Sequence, residues 1–233
     1  MRKLLVILFL LISIFGFSQR RDIGVWTSVS VEGKVANKKL LLGGSLNMRL
    51  DRNSSMIASY FPEVYLEYKF WKMFTLGAEY RLNIKRASFG GFVPKHRAAA
   101  YFILKKDIAP LQASVRVKYQ YGWDARKRTS FFQPIASHAM RVKVKISYIN
   151  WKLIKPYIGN EFTYDFGHHD LGKRFNLYRL SAGLNFNLPK RHEIKLKYIY
   201  NLEINVVNPW REHIASVGYL YTFKSKKKKK SKK

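Results

Sequence analysis

Phe74-Thr75-Leu76-Gly77-Ala78-Glu79-Tyr80-Arg81-Leu82-Asn83-Ile84-Lys85 decides the fold. Phe74, Leu76, Ala78, Tyr80, Leu82 and Ile84 fall on one face at a period of two. Thr75, Glu79, Arg81, Asn83 and Lys85 fall on the other. Only an extended strand separates those sets cleanly. Twelve residues is about twice the usual strand length. It matches the ~9–11 residues that a tilted strand needs to cross a bilayer.

The pattern recurs on both sides of this stretch. Val115, Val117, Tyr119 and Tyr121 alternate with Ser114, Arg116, Lys118 and Gln120. Val142, Val144, Ile146 and Tyr148 alternate with Arg141, Lys143, Lys145 and Ser147. Ile158, Phe162, Tyr164 and Phe166 alternate with Glu161, Thr163 and Asp165. Leu180, Ala182, Leu184, Phe186 and Leu188 alternate with Arg179, Ser181, Asn185 and Asn187. Ile194, Leu196, Tyr198, Tyr200, Leu202 and Ile204 alternate with Lys195, Lys197, Asn201 and Glu203. A soluble sandwich also alternates, with shorter strands.

The connections alternate too. Trp71-Lys72, Lys106 to Ala109, Asn150 to Lys152 and Pro189 to Arg191 are short, whereas Arg86 to Lys95, Trp123 to Gln133, Gly167 to Lys173 and Asn205 to Pro209 are longer. Short turns at one end and long loops at the other predict an all-β, transmembrane, antiparallel up-and-down β-barrel, with the short end in the periplasm. Aromatic residues near most strand ends fit interfacial girdles.

Strands are predicted over 22–32, 38–50, 56–70, 73–85, 96–106, 110–122, 135–149, 153–166, 174–188, 191–204 and 210–223. That makes eleven, whereas bacterial single-chain barrels carry even numbers. The expectation is therefore ten strands or twelve, with the miscount in the first fifty residues and strand one closing antiparallel on the last. His213 to Phe223 resembles the C-terminal signal of outer-membrane barrels, although ten residues follow the Phe.

The 233 residues include 44 Lys and Arg against 14 Asp and Glu, a formal net charge of +30. Such an excess first suggests nucleic acid or an anionic membrane surface. It is unevenly spread. Arg2 and Lys3 precede an apolar run from Leu4 to Phe17, and Ser18-Gln19 follows. This order reads as a secretory signal peptide over 1–18. The other reading is a membrane anchor, for which 14 apolar residues are few. Export argues against a nucleic-acid partner. Residues 19–223 form the barrel, located in the outer membrane with its lipid and lipopolysaccharide as surroundings. Eight lysines, Lys226, Lys227, Lys228, Lys229 and Lys230 among them, crowd the last ten positions, so 224–233 reads as a disordered tail. It is either a solvated end or a ligand for anionic headgroups or an acidic periplasmic partner.

The polar faces assign a charged lumen: Glu63, Glu67, Glu79, Arg81, Arg97, Arg116, Lys118, Arg141, Lys143, Lys145, Glu161, Asp165, Arg179, Lys195, Lys197 and Glu203. Ten are basic and six acidic, so a pore would favour anions. A barrel this small leaves little space, and a lumen plugged by mutual pairing is the competing reading.

Candidates for chemistry are few. The absence of cysteine excludes thiolate metal sites and thiol catalysis. His168-His169-Asp170, in a long loop, could bind a divalent metal. Ser137 and His138 could supply nucleophile and base, but strand neighbours point to opposite faces. His96, His192 and His213 stand alone at strand ends and read as interfacial. Glu161 and Asp165 share a face roughly 13 Å apart. No cofactor is implied. A non-enzymatic barrel, acting as a small pore or as a structural or partner-binding protein, leads. An outer-membrane enzyme acting on lipid or peptide, or a secreted polyanion-binding protein, are the alternatives.

Asp22-Ile23-Gly24-Val25-Trp26-Thr27, Glu32, Lys38-Lys39, Glu67-Tyr68-Lys69, Leu76 to Arg81 and His96-Arg97 occur in an order. That order resembles the Bacteroidota outer-membrane proteins grouped as a domain of unknown function, family 2490. The resemblance spans about 22–223. It implies an outer-membrane barrel and supplies no substrate, activity or catalytic residue. The lysine tail lies outside the family's pattern.

Overall fold

A computed structural model describes residues 21–35, 39–87, 90–124, 137–167 and 173–224. The regions assigned to the signal peptide and to the lysine tail beyond Lys224 lie outside these, as does the His168-His169-Asp170 loop.

Eleven strands form one closed barrel among the described residues: β1 (Arg21–Val35), β2 (Leu40–Asp51), β3 (Met56–Lys69), β4 (Phe74–Arg86), β5 (Phe92–Ile108), β6 (Leu111–Asp124), β7 (Ser137–Tyr148), β8 (Ile154–Asp165), β9 (Arg174–Leu188), β10 (His192–Glu203) and β11 (Arg211–Phe223). Each pairs antiparallel with its sequence neighbours. The one exception is the closing seam, where β1 and β11 run parallel from Arg21↔Arg211 to Gly33↔Phe223. The even-number expectation, ten or twelve, is thus corrected to eleven, and antiparallel closure to a parallel seam. The first fifty residues hold two separate full-length strands, β1 and β2. An odd set of alternating strands leaves its first and last members pointing the same way. Parallel ladders bond slightly less well per residue but still satisfy the backbone. Phe92 to Lys95, assigned to a loop from sequence, belongs to β5, and only 87–91 connect β4 to β5.

β1, β3, β5, β7, β9 and β11 all run from the rim of longer loops to the rim of short turns. The connection 52–55 at the long-loop rim is tight. Arg52, Asn53 and Ser54 hold φ of 50°, 55° and 64°, a left-handed run costly for residues other than glycine. Asp22 at the start of β1 holds it. Its carboxylate accepts the backbone N–H of Arg52 (3.1 Å) and of Asn53 (2.7 Å), while Ser54 donates to the Ile23 carbonyl (3.2 Å).

The faces are reversed relative to a water-soluble sheet. Leu46 and Val64 face outward with 66% and 58% exposure. On the inward face, Glu161, Tyr101 and Lys118 are 3%, 5% and 7% exposed. The apolar side of the alternation faces out, and the polar side is packed within.

Rings collect near the strand ends. An unbroken chain of ring contacts, centroids 4.8–6.5 Å apart, passes from Tyr80 through His96, Trp123, Tyr121, His138, Tyr119, Phe166, Tyr164, Phe175 and Phe162 to Tyr178. It girdles β4 to β9 at the long-loop end. Phe70, Trp71, Phe74 and Phe102 cluster at the other end. All four described histidines share one arrangement. Their Nδ1 atoms meet tyrosine hydroxyls on the adjacent strand: Tyr80–His96 2.6 Å, Tyr119–His138 2.6 Å, Tyr219–His192 2.5 Å and Tyr198–His213 2.7 Å. In each, the histidine lies two residues before the position directly opposite the tyrosine, as in Tyr80↔Ala98. That diagonal on one face is within reach of long side chains.

Candidate functional site: the charged lumen and its outer mouth

The lumen is built on the strands' odd or even positions, so its contents follow directly from register. Glu63, Arg81 and Arg97 stand in line across β3, β4 and β5. Arg81 donates to Glu63 from Nε (2.7 Å) and from Nη2. Lys118 on β6 reaches across to Glu79 on β4 at 2.5 Å. Glu161 on β8 gathers three guanidiniums: Arg116 at 3.2 Å, Arg179 at 3.2 Å and Arg141 at 3.5 Å. A carboxylate so buried is tolerable only when paired.

Tyrosines fill the short-turn half. Tyr65, Tyr101 and Tyr157 lie over Gly43, Gly77 and Gly183, each directly opposite on the adjacent strand. A Cβ on Gly77 would stand 2.3 Å from the Tyr101 ring, and one on Gly43 2.2 Å from Tyr65. Only glycine permits these rings to lie flat across the sheet. Their hydroxyls are used as well. Tyr65 donates to Glu32 (3.2 Å) and Tyr101 to Glu67 (2.9 Å). Lys145 lies 5.1 Å from the centroid of Tyr157.

The sixteen charges assigned to the lumen from sequence do not act as one set. Glu63, Glu79, Arg81, Arg116, Lys118, Arg141, Glu161 and Arg179 interlock. Lys195 sits 4.0 Å from Glu193. Lys143 and Lys197 form no ion pair among the described residues. Asp165 lies beyond a bulge between Thr163 and Tyr164, accepting from Asn176 (3.2 Å) and from the Gly167 N–H (3.2 Å). It is not brought to Glu161. Ser137 faces the lumen, whereas His138 faces out onto Tyr119, so the two share no proton. Among the described residues no cluster of three potential metal ligands occurs.

Sequence reading missed Arg49, Glu32, Asp51 and Glu212, which lie in the first two strands and the last, where the register was unsettled. Arg49 stacks 4.0 Å above Trp26 and 4.8 Å from Phe61. Among the described residues, cavities enter the barrel from both ends. One, about 510 Å³, opens at the short-turn rim among Glu32, Lys39, Glu67, Lys72 and Lys105. The other, about 460 Å³, lies at the long-loop mouth, with Trp26, Arg49, Asn83, Arg97, Glu212 and Trp210 in its wall. Interlocked charges line both, Glu63, Glu79 and Arg116 the first and Arg179 the second.

No curated protein matches the chain. Among solved structures, it is similar to the NanC porin (10% identity, 76% of this chain and 86% of that one, TM-score 0.47). It is also similar to the β domain of the Bordetella autotransporter BrkA (16% identity, 79% and 83%, TM-score 0.49). The family described as "Protein of unknown function (DUF2490)" matches residues 23–213, and the chain belongs to that family.

Proposed function

We propose that the protein is an integral outer-membrane β-barrel, non-enzymatic, whose lumen is closed at mid-height and whose loop-bearing end faces outward. The reversal of faces carries this reading. Exposed leucine, isoleucine, valine and tyrosine side chains form a continuous apolar wall around the barrel. Water-soluble monomers rarely expose apolar patches beyond a few hundred Å². A closed barrel also leaves no unpaired edge, a requirement in hydrocarbon. Twelve to seventeen residues per strand give roughly 30 Å or more of height at a tilt of about 40°. The signal peptide read over 1–18 supplies the export route.

The closed lumen favours a structural or ligand-holding barrel over a conducting one. Passage of an ion would require the Lys118–Glu79 pair and the Glu161 cluster to part. The tail after Phe223 begins at the short-turn rim, which this orientation places in the periplasm within reach of anionic headgroups.

Fractionation tests the location. The protein should partition with outer membranes, resist carbonate extraction and migrate faster unheated than boiled. Recovery in the soluble periplasmic fraction would overturn the reading.

A further inference from the structure

The cavity at the long-loop mouth holds two arginines that contact no carboxylate among the described residues. Arg49 and Arg97 both line it, and neither forms an ion pair among the described residues. Arg49 rests only on the π faces of Trp26 and Phe61. Arg97 is paired in register with another arginine, Arg81, whose carboxylate partner Glu63 is already engaged.

Among the described residues, none of the carboxylates in the same wall forms an ion pair with either arginine. Asp51 holds Arg86 at 2.6 Å, Glu212 accepts from Asn201 at 2.7 Å and Glu203 accepts the backbone N–H of Trp210 at 3.1 Å. Half-buried guanidiniums without a counter-charge retain a strong demand for an anion, and their forked donors match carboxylate and phosphate oxygens.

Two further features narrow the ligand. Asn83 Oδ1 is buried in this wall with no donor among the described residues, and a buried acceptor left so is destabilising until something donates to it. At the rim stands the Trp210 indole, 44% exposed. An acceptor awaiting a hydroxyl, an open indole and two free guanidiniums around about 460 Å³ describe one chemistry. We propose that this mouth binds a hydroxylated organic anion, a sugar acid or sugar phosphate. The oxyanion bridges Arg49 and Arg97, a ring hydroxyl donates to Asn83 Oδ1, and the sugar's apolar face lies on Trp210. Cavities of this size are typical of small-ligand sites.

Isothermal titration of the full chain, folded in detergent, tests this directly. Glucuronate and glucose 6-phosphate are the charged probes, glucose and inorganic phosphate the controls. At least one charged sugar should bind saturably. Glucose should not bind, and inorganic phosphate should bind at least tenfold more weakly than the charged sugar. R97Q should weaken the charged sugar about tenfold, and N83A several-fold, with unheated gel mobility unchanged in both. Absence of saturable binding by either charged sugar would overturn the proposal. So would an affinity unmoved by R97Q and N83A, which would place the anion on the lysine tail. Glucose or inorganic phosphate binding as tightly as the charged sugars would overturn the ligand class. Because the titration uses purified barrel, a protein found outside the outer membrane would refute the location and leave this site untouched.

Discussion

Tyr101 on β5 lies flat over Gly77 on β4, directly opposite it, and donates its hydroxyl to Glu67 at 2.9 Å. The ring thereby crosses β4 to reach β3, in the wall of the cavity at the short-turn end. Valine at Gly77 would put its Cβ 2.3 Å from that ring, so Tyr101 must swing into the lumen and abandon Glu67. We expect G77V to lose about 2–3 kcal/mol in urea unfolding of the lipid-refolded barrel. Y101F should lose only about 1 kcal/mol.

Among the described residues, Glu161 is the one carboxylate in ion-pair contact with Arg116, Arg141 and Arg179. E161Q leaves three guanidiniums without it and should cost about 3–5 kcal/mol. Adding R141M and R179M should restore more than half of that loss, because an apolar replacement of a whole buried ion cluster is often neutral. Equilibrium unfolding of the single and triple variants decides this.

Asp22 satisfies two backbone donors in a turn of three left-handed residues. D22A should destabilise by about 2 kcal/mol, and D22N by roughly half as much, since the amide keeps one acceptor. Hydrogen exchange at Arg52 and Asn53 should accelerate before exchange at the centre of β2.

Leu46 points outward from the middle of β2, 66% exposed. If hydrocarbon surrounds it, L46K should cost about 2–4 kcal/mol in refolding into lipid vesicles. In water the same substitution would fall within about 0.5 kcal/mol. The size of the loss therefore reports the solvent on this face.

Most of the fold was legible because period-two alternation survives along every strand, and Phe74–Lys85 already fixes which side chains face in. Register was not legible in the same way. The pairing of Gly77 with Tyr101, and of each histidine with a tyrosine two positions away on the next strand, depends on how neighbouring strands slide. No single strand records that. The parallel seam was missed for a related reason. β1 and β2 read as strands, but the even-number rule argued against taking both at face value. Arg49 escaped notice because its stretch, Leu40 to Asp51, mixes apolar and small residues on both faces. Its partners Trp26 and Phe61 lie on other strands.

Planar-bilayer recording on the purified barrel measures the central claim, a membrane-inserted barrel closed at mid-height. A barrel closed at mid-height should insert stably with no steady conductance steps, and show brief openings at most in E161Q. Reproducible ohmic steps from the unaltered protein would contradict it.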